Sequence, residues 1–545
     1  MRRATAHRPL AVAVDVGTTG ARAAAYGLDG TLVAEVRHRY RTNVPRPGWA
    51  EQDARDWQAG AMAVLGRLAA KVAGQGEWRA IGLTGQCPTV VPVDQHGKPV
   101  GPGMLYRDNR AVAEAAEMRE AIGPAEYHRR TGHVPEAFHV GAKVLWLKKH
   151  ESERYARAAC FLQPRDVVLH RLTGALATDE THANATLFYD LVERHWDKDL
   201  LAAFQVDPAL FPVALPSWQV VAGLPAAVAD EFALPAGTPV VIGAADSQCA
   251  AYGAGITTPG IVSEMAGASS CLNSVVPSPL ADLRVTHYRY LMPDCYCTEL
   301  GVNTTGAAID WAVRRLGYAD HAALAADAER HYRRAGRLDP IDAAPLFLPY
   351  LGDGERDDPS VRGAFLGLAD RHDRAALAYA VLEGVALAVT AVVQELADAG
   401  SPARELRVGG GGTHLRLVGQ LKAELLGIPV LHLDLDPADF GAAMLAAASA
   451  GLADAAANAI DAVVRRAVTL HPTTAGQRRE RARLDWFLSI RTARAVHRPA
   501  SVVHRPAAVV HRPAAVDHPR DVGVVLAAGQ ADAGPRAGAE RPESQ

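Results

Sequence analysis

The sequence predicts an α/β protein of two large domains followed by an unstructured tail. Three observations carry the prediction. Short apolar runs alternate with helical periodicity up to about residue 490, a glycine-rich break falls near 253–259, and the composition changes near Ala495. The 545 residues are enough for several domains with sizeable cores.

Taken in order, 11–16 is a buried-strand run. Segments 21–26 and 31–36 flank the turn Gly27-Leu28-Asp29-Gly30, which reads as an antiparallel meander. Residues 239–245 form another buried-strand candidate. A long helix is expected over 374–399, because Leu377, Val381, Val385, Val389, Val392 and Leu396 recur at spacings of three and four; Asp373 caps its start and Gly400 ends it. Residues 415–426 behave similarly and stop at Gly427, with Pro429 just beyond. Gly253, Gly255 and Pro259 follow a strand-helix unit and precede new strand signals, so a hinge is placed between domains 1–255 and 256–490.

Residues 491–545 are expected to be disordered. His497-Arg498-Pro499, His504-Arg505-Pro506 and His511-Arg512-Pro513 recur among Ala and Val, so proline blocks helix while little bulky apolar surface offsets the ordering entropy. The spaced histidines suit a metal, yet repeat expansion explains the pattern as well.

Composition narrows the function classes. No run of 18 uncharged apolar residues occurs, and Asp15 interrupts the N-terminal apolar stretch before a secretory signal could form; a cytoplasmic protein without a membrane partner is expected. A net charge of -3, from 57 basic and 60 acidic residues, supplies no field to hold a nucleic acid. The six cysteines lack zinc-site spacing and read as free thiols.

Three segments could carry chemistry. In Asp15-Val16-Gly17-Thr18-Thr19-Gly20-Ala21-Arg22 an acidic residue ends a strand and a Gly/Thr turn opens the next. Such a turn can aim N–H groups and hydroxyls at phosphate, with Asp15 available for hydrated Mg²⁺ and Arg22 for charge neutralisation; an ordinary hairpin turn fits equally. The run at 240–245 ends at Asp246, the position where α/β proteins gather ligands, so Asp246 suits a general base or a helix N-cap. Gly409-Gly410-Gly411-Gly412-Thr413 precedes a helix and lets a phosphate or flat ligand approach the backbone; a flexible connection is the alternative. Neither a Walker loop nor a Rossmann fingerprint is present.

Asp15-Val16-Gly17-Thr18-Thr19, Pro47-Gly48-Trp49-Ala50-Glu51-Gln52-Asp53, the strand ending at Asp246, Pro349-Tyr350-Leu351 with Gly354-Glu355-Arg356 and Arg362-Gly363-Ala364-Phe365, and the 410–429 segment occur in a characteristic order. With these motifs the chain resembles the FGGY family of carbohydrate kinases, of the xylulokinase type, from about residue 11 to about 485. The resemblance implies two ribonuclease-H-like, actin-type domains with sugar and ATP meeting in the cleft. It implies Asp246 as general base and Asp15 as the Mg²⁺-associated aspartate, with Gly17, Thr18, Thr19 and Arg22 as the first phosphate loop. Gly267 and Ser269 match the second phosphate loop, Gly306 a nucleotide contact, and Gly410, Gly411, Gly412 and Thr413 the adenosine site. Gln86, Asp108 and Arg110 fall on segments that line the sugar pocket, and a homodimer is suggested by likeness alone.

Some positions depart from the family pattern. Ala268 stands where the second loop commonly has threonine, which deletes a hydroxyl donor. Gln86-Cys87-Pro88-Thr89 replaces Gln-Met-His-Gly, Tyr106 replaces tryptophan, and Leu415 replaces a small polar residue. These changes bear on which sugar hydroxyls can be read. The expectation is an ATP-dependent kinase for a ketopentose such as D-xylulose, with a glycerol or other polyol kinase and a silent sugar sensor as alternatives. Trp49 and Trp57 are expected to pack rather than touch sugar.

Overall fold

The computed structural model describes residues 8–335, 339–352, 355 and 361–496. Met1–Arg491 form one compact unit. Thr492–Gln545 cluster separately, and the His/Arg/Pro repeats from 497 onward lie outside the described residues, as do Gly354 and Arg356.

The main strands are β1 (Pro9–Val16), β2 (Gly20–Gly27), β3 (Leu32–Arg39), β4 (Glu77–Gly85), β5 (Val220–Gly223) and β6 (Pro239–Ala245), then β7 (Ile261–Ala266), β8 (Ser270–Val276), β9 (Thr286–Arg289), β10 (Tyr296–Val302), β11 (Glu405–Gly409), β12 (Val430–His432) and β13 (Val468–Leu470). They build two mixed sheets, ordered β5-β6-β4-β1-β2-β3 and β9-β10-β8-β7-β11-β12-β13. Each sheet joins an antiparallel meander (β1-β2-β3; β7-β8-β10) to parallel neighbours on its other side (β4 and β6; β11 and β12). The expected meander at 11–36 and the strand at 239–245 are thus present.

The main helices are α1 (Ala54–Val72), α2 (Val140–His150), α3 (Glu180–Asn184), α4 (Asp246–Gly253), α5 (Gly306–Arg315), α6 (Arg374–Asp398), α7 (Arg416–Leu426), α8 (Pro437–Ala447), α9 (Ala453–Arg466) and α10 (Thr474–Val496). The predicted caps of α6 are seen: the Asp373 side chain accepts the Ala376 N–H, and Gly400 takes φ +104. Gly427 ends α7 in the left-handed region. By length and composition α6 could cross a membrane, with mean hydropathy 2.1, but 94% of its apolar window is buried inside the unit. Its one buried carboxylate, Glu383, pairs with Arg483 of α10 at 2.9 Å and accepts from Tyr379.

Large and small residues alternate along β1, and the alternation decides which helix covers each face. Leu10, Val12, Val14 and Val16 join the core under α1 with Trp57, Leu65 and Leu68. Ala11 and Ala13 face the opposite core with Phe440, Ala442 and Ala443 of α8. Small residues there bring α8 close to the sheet: a Cβ on Gly82 of β4 would stand 2.2 Å from the Ala442 carbonyl oxygen. Helix α8 also crosses α4 at glycines, and a Cβ on Gly441 would stand 1.9 Å from the Cys249 carbonyl oxygen. The core contacts of α8 lie on the first sheet. Helix α10 runs through position 490, the expected end of the second domain.

Because backbone atoms meet Gly441, a branched side chain there cannot be accommodated by a rotamer change. Gly441→Val lowers unfolding free energy by about 1–3 kcal/mol, read as an earlier denaturant midpoint; an unchanged midpoint removes the close helix crossing.

Candidate active site

Strand register brings the candidate residues of the first half together. Val16 of β1 pairs with Gly85 of β4, and Gly85 pairs with Ala245 of β6, so three parallel strands end level. Gly17, Gln86 and Asp246 are the next residues of each strand. Ligand sites of open α/β sheets form at such carboxyl ends.

Asp246 is the first residue of α4, and the N-cap is Ala245, so the N-cap alternative is not what the structure shows. Its own Oδ1 accepts the Ser247 N–H at 2.8 Å. Burial, then the nearby Glu299 carboxylate, pushes the Asp246 carboxyl up to about 7. The preceding residue is fixed from behind: Ala245 N–H donates to Thr181 Oγ1 at 2.9 Å, and that hydroxyl donates to Asp179 at 2.7 Å. Against its own burial, Arg165 and then His182 hold Asp179 well below the usual carboxylate range, so this support is an ionised, fully paired anchor.

Asp15 lies on β1 opposite Arg22 of β2. Its Oδ1 is buried without a partner among the described residues, and its Oδ2 is 3.9 Å from the Arg22 guanidinium. Burial outweighs Arg22, and Asp246 and Asp436 push the same way, so the Asp15 carboxyl rises to about 7. Arg22 does not stand ready for a ligand as its place in the first loop suggested. Asp439 at 2.5 Å and Asp436 at 2.7 Å, both from the start of α8, hold it, and these contacts raise its pKa. Thr19 is exposed, and Thr18 Oγ1 is 3.5 Å from Gln86 Oε1.

The three residues expected in the sugar pocket are embedded in the scaffold. Gln86, 1% exposed, donates to Gly17 O and Gln52 Oε1, and so braces the opening turn. Asp108 is fully buried; it accepts from Ala50 N–H and pairs with Arg110, which also pairs with Glu51 and stacks on Trp49 at 3.5 Å. Trp57 is buried with its N–H on Gln52, so both tryptophans pack as expected. Lys143 of α2, unmarked by sequence reasoning, is fully buried and donates to the carbonyls of Leu105 and Phe138 at 2.6 Å and of Pro88 at 3.4 Å. It ties together the segments around Cys87-Pro88 and Tyr106, and burial lowers its pKa to about 7.

The glycine segments of the second half also converge. Met265 of β7 pairs with Gly409 of β11, so the turns after both strands leave from one end of the sheet. Gly267, Ala268, Thr305, Gly306, Gly411 and Gly412 line one cavity of about 380 Å³ whose apolar wall includes Ile309, Val385, Leu415 and Val418. The Ala268 carbonyl accepts the N–H groups of Thr305 and Ala307, each at 3.0 Å, which locks the second loop onto the start of α5. Contact is so close that a Cβ on Gly306 would stand 2.3 Å from the Gly267 carbonyl oxygen. Gly410 takes φ +84 and passes over Ala266 O. Ser269 and Thr413 stand at the margins of this cavity's loops rather than on its wall, and the Thr413 hydroxyl donates to Gly410 O at 2.9 Å. His414 lines the cavity, and Glu355 accepts Asn303 N–H at 2.9 Å.

Sequence reasoning missed Lys143, Glu299, Asp436 and Asp439. Lys143 and Glu299 each follow several apolar or neutral residues, a signal that can mark a buried, partnered group, whereas Asp436 and Asp439 sit in the acidic run Asp434-Leu435-Asp436-Pro437-Ala438-Asp439 and read as a helix start.

Two mixed sheets of one pattern, with glycine-rich turns at their strand ends, define a sugar-kinase and actin-like fold. The FGGY family sequence model for the N-terminal domain of carbohydrate kinases matches residues 10–253, and that for the C-terminal domain matches 262–450. The chain therefore belongs to the FGGY family of carbohydrate kinases and is an ATP-dependent sugar or polyol phosphotransferase. It is similar to a xylulose kinase of Bacillus subtilis, 26% identical over 88% of this chain and 96% of that protein. It is also similar to a glycerol kinase of Trichlorobacter lovleyi, 30% identical over 81% and 90%. The crystal structure of xylulose kinase from Rhodospirillum rubrum superposes with a TM-score of 0.81 at 30% identity, covering 90% of this chain and all of that one.

The raised carboxyl of Asp246 carries a stability consequence. Its folded pKa of about 7 lies above the unfolded value of 3.8, so the folded state binds the extra proton between these pH values. Stability is thus lost as pH rises from about 4 to 7, and the cost is complete above 7. Asp246→Asn stabilises the protein at pH 8 by about 1–2 kcal/mol, a conservative share of the roughly 1.4 kcal/mol per pH unit, and the gain vanishes at pH 4. Equal melting temperatures at pH 8 contradict this.

Proposed function

We propose that this kinase phosphorylates a hydroxyl of a ketopentose or small polyol, with Asp246 as the general base and the nucleotide seated in the glycine-lined cavity of the second half. The domains of this reading are 1–255 for the acceptor and 256–490 for the nucleotide. The observation that carries it is the level ending of the parallel strands: Asp15 and Asp246 leave one sheet at the same end, and the Gly267 and Gly410 turns leave the other likewise.

Phosphoryl transfer depends on positioning and charge stabilisation, with little covalent chemistry for the protein. Asp246, once ionised, accepts the proton of the attacking hydroxyl. Its anchor through Ala245, Thr181 and Asp179 keeps that carboxylate at the strand end as the acceptor docks. The N–H groups that follow Gly17 and Gly267 would meet the phosphates, since the glycine N–H groups themselves are bonded to Gly20 O and Ser269 O, and the apolar wall of Ile309, Leu415 and Val418 takes the base. The unpartnered Asp15 oxygen suits a hard divalent cation held otherwise by phosphate and water oxygens; Mg²⁺ there would offset charge on the transferred group. Ala268 offers its backbone alone to the phosphates. Arg22, bound to Asp439 and Asp436, keeps the acidic strand ends neutral enough to coexist. The protein acts in the cytoplasm on this reading.

Acceptor choice follows from the Cys87-Pro88-Thr89 wall. Proline has no N–H, and burial holds the Cys87 thiol neutral, so this wall offers no charged donor. The Thr89 hydroxyl is engaged with Gln86 at 3.4 Å and Tyr106 N–H at 3.1 Å. A polyol acceptor is the second reading, favoured by the absence of an imidazole at this wall and by the glycerol kinases among the relatives.

ADP release measured over a panel of ketoses, aldoses and polyols should show a ketopentose or a polyol as best acceptor. Asp246→Ala should cut turnover by about 10²- to 10⁴-fold while nucleotide binding by calorimetry persists; near-normal turnover removes the base assignment. Gly306→Val should raise the KM for ATP about tenfold or more through its clash with Gly267 and leave acceptor KM nearly unchanged, a factor equal to about 1.4 kcal/mol. An unchanged KM for ATP displaces the nucleotide from this cavity.

A further inference from the structure

Asp246 begins α4 in the first half of the chain, but the residues that follow it are held by the second. Ser247 Oγ donates to Glu299 Oε2 at 2.6 Å, and Gln248 Nε2 donates to the same oxygen at 3.2 Å. Glu299 lies on β10, in the middle of the seven-residue strand Tyr296–Val302, and is 8% exposed. A carboxylate in a strand interior, facing a helix start from the other sheet, is an expensive placement unless donors meet it. Here one oxygen receives two donors, both from the first turn of α4.

We infer that Glu299 is a positioning residue for Asp246, which fixes the first turn of α4 to the second sheet and so joins the acceptor-side carboxylate to the nucleotide-side half. This rests on the reading of Asp246 as the base. The two hydrogen bonds act on residues 247 and 248, so Glu299 sets the helix start without touching the reacting atoms. Its charge also acts on Asp246 through space. The groups around Asp246 are Glu299 from β10, Asp436 from the turn before α8, and Asp15 from β1, with the Cys87 thiol also near. Arg22 pairs with Asp15 and Asp436 on the far side of this group, and Glu299 is the largest of the charges acting on Asp246. Glutamine at 299 keeps an oxygen for Ser247 and Gln248 and removes that charge; alanine removes both. The two substitutions therefore separate alignment from electrostatics.

The test has one arm without turnover. In full-length protein labelled with ¹³Cγ-aspartate and free of nucleotide, the resonance missing from Asp246→Asn identifies Asp246. Its titration midpoint should fall by half a pH unit or more in Glu299→Gln. The other arm follows ATP turnover with D-xylulose and with glycerol, using whichever reacts. Glu299→Gln should keep kcat within threefold at pH 8.5 and shift the acid limb of the profile downward, whereas Glu299→Ala should lower kcat tenfold or more with KM for ATP within twofold. Ser247→Ala, which removes the 2.6 Å contact from the helix side, should lower kcat three- to tenfold and serves if the Glu299 variants do not fold. An unmoved midpoint in Glu299→Gln, or full kcat in Ser247→Ala, overturns the inference. Turnover retained by Asp246→Asn instead removes the general-base reading, which makes the two failures distinguishable.

Discussion

Negative charge gathered where parallel strands end is the constraint around which this molecule is arranged. Asp15, Asp246, Glu299, Asp436 and Asp439 approach the same region, and Arg22 is the cation in ionic contact with three of them. Burial first, and then the neighbouring carboxylates, disfavour ionisation, and Asp15 and Asp246 both rise to about 7. The surrounding structure offsets the repulsion in two ways. Arg22 neutralises the side toward α8, and hydrogen bonds through Thr181 and Ser247 fix the strand end and helix start that carry Asp246. A site built this way is suited to receive positive charge.

The two halves handle their ligand edges differently. The first uses side chains braced by amides: Gln86 and Gln52 hold the Gly17 turn, and Lys143 gathers the carbonyls of Pro88, Leu105 and Phe138. The second uses main chain, with Ala268 O bound by Thr305 and Ala307 and with glycines where a Cβ would collide. Backbone surfaces suit a nucleotide common to many kinases, whereas side-chain surfaces can change with the acceptor. Relatives named for xylulose and for glycerol match this chain over most of its length, as expected on the proposed reading if the acceptor side varies and the nucleotide side does not.

Local physics made much of this legible in the sequence. Asp373 and Gly400 gave both ends of α6, and the Gly27–Gly30 turn gave the meander, because caps and tight turns are decided within a few residues. The glycine runs marked, for the same reason, the turns that converge on the cavity of the second half. What escaped was long-range. Gln86, Asp108 and Arg110 were placed by position in a motif, and their partners Gln52, Ala50, Glu51 and Trp49 were not visible from it, although one Arg110 guanidinium nitrogen is buried without a partner among the described residues. Arg22 was read as a phosphate ligand because its partners Asp436 and Asp439 lie more than four hundred residues away. Asp439 interrupts an apolar helix start, and only the packing of α8 on the first sheet explains it.

That packing has a consequence for how the chain is made. The alanine face of β1 and β2 finds its cover in Phe440, Ala442 and Ala443, residues that emerge from the ribosome after the whole second sheet except its edge strand has been synthesised. The first half cannot close its own core during translation. It waits with an apolar sheet face open until nearly the end of synthesis, which makes nascent chains of intermediate length the most exposed to aggregation and to chaperone capture.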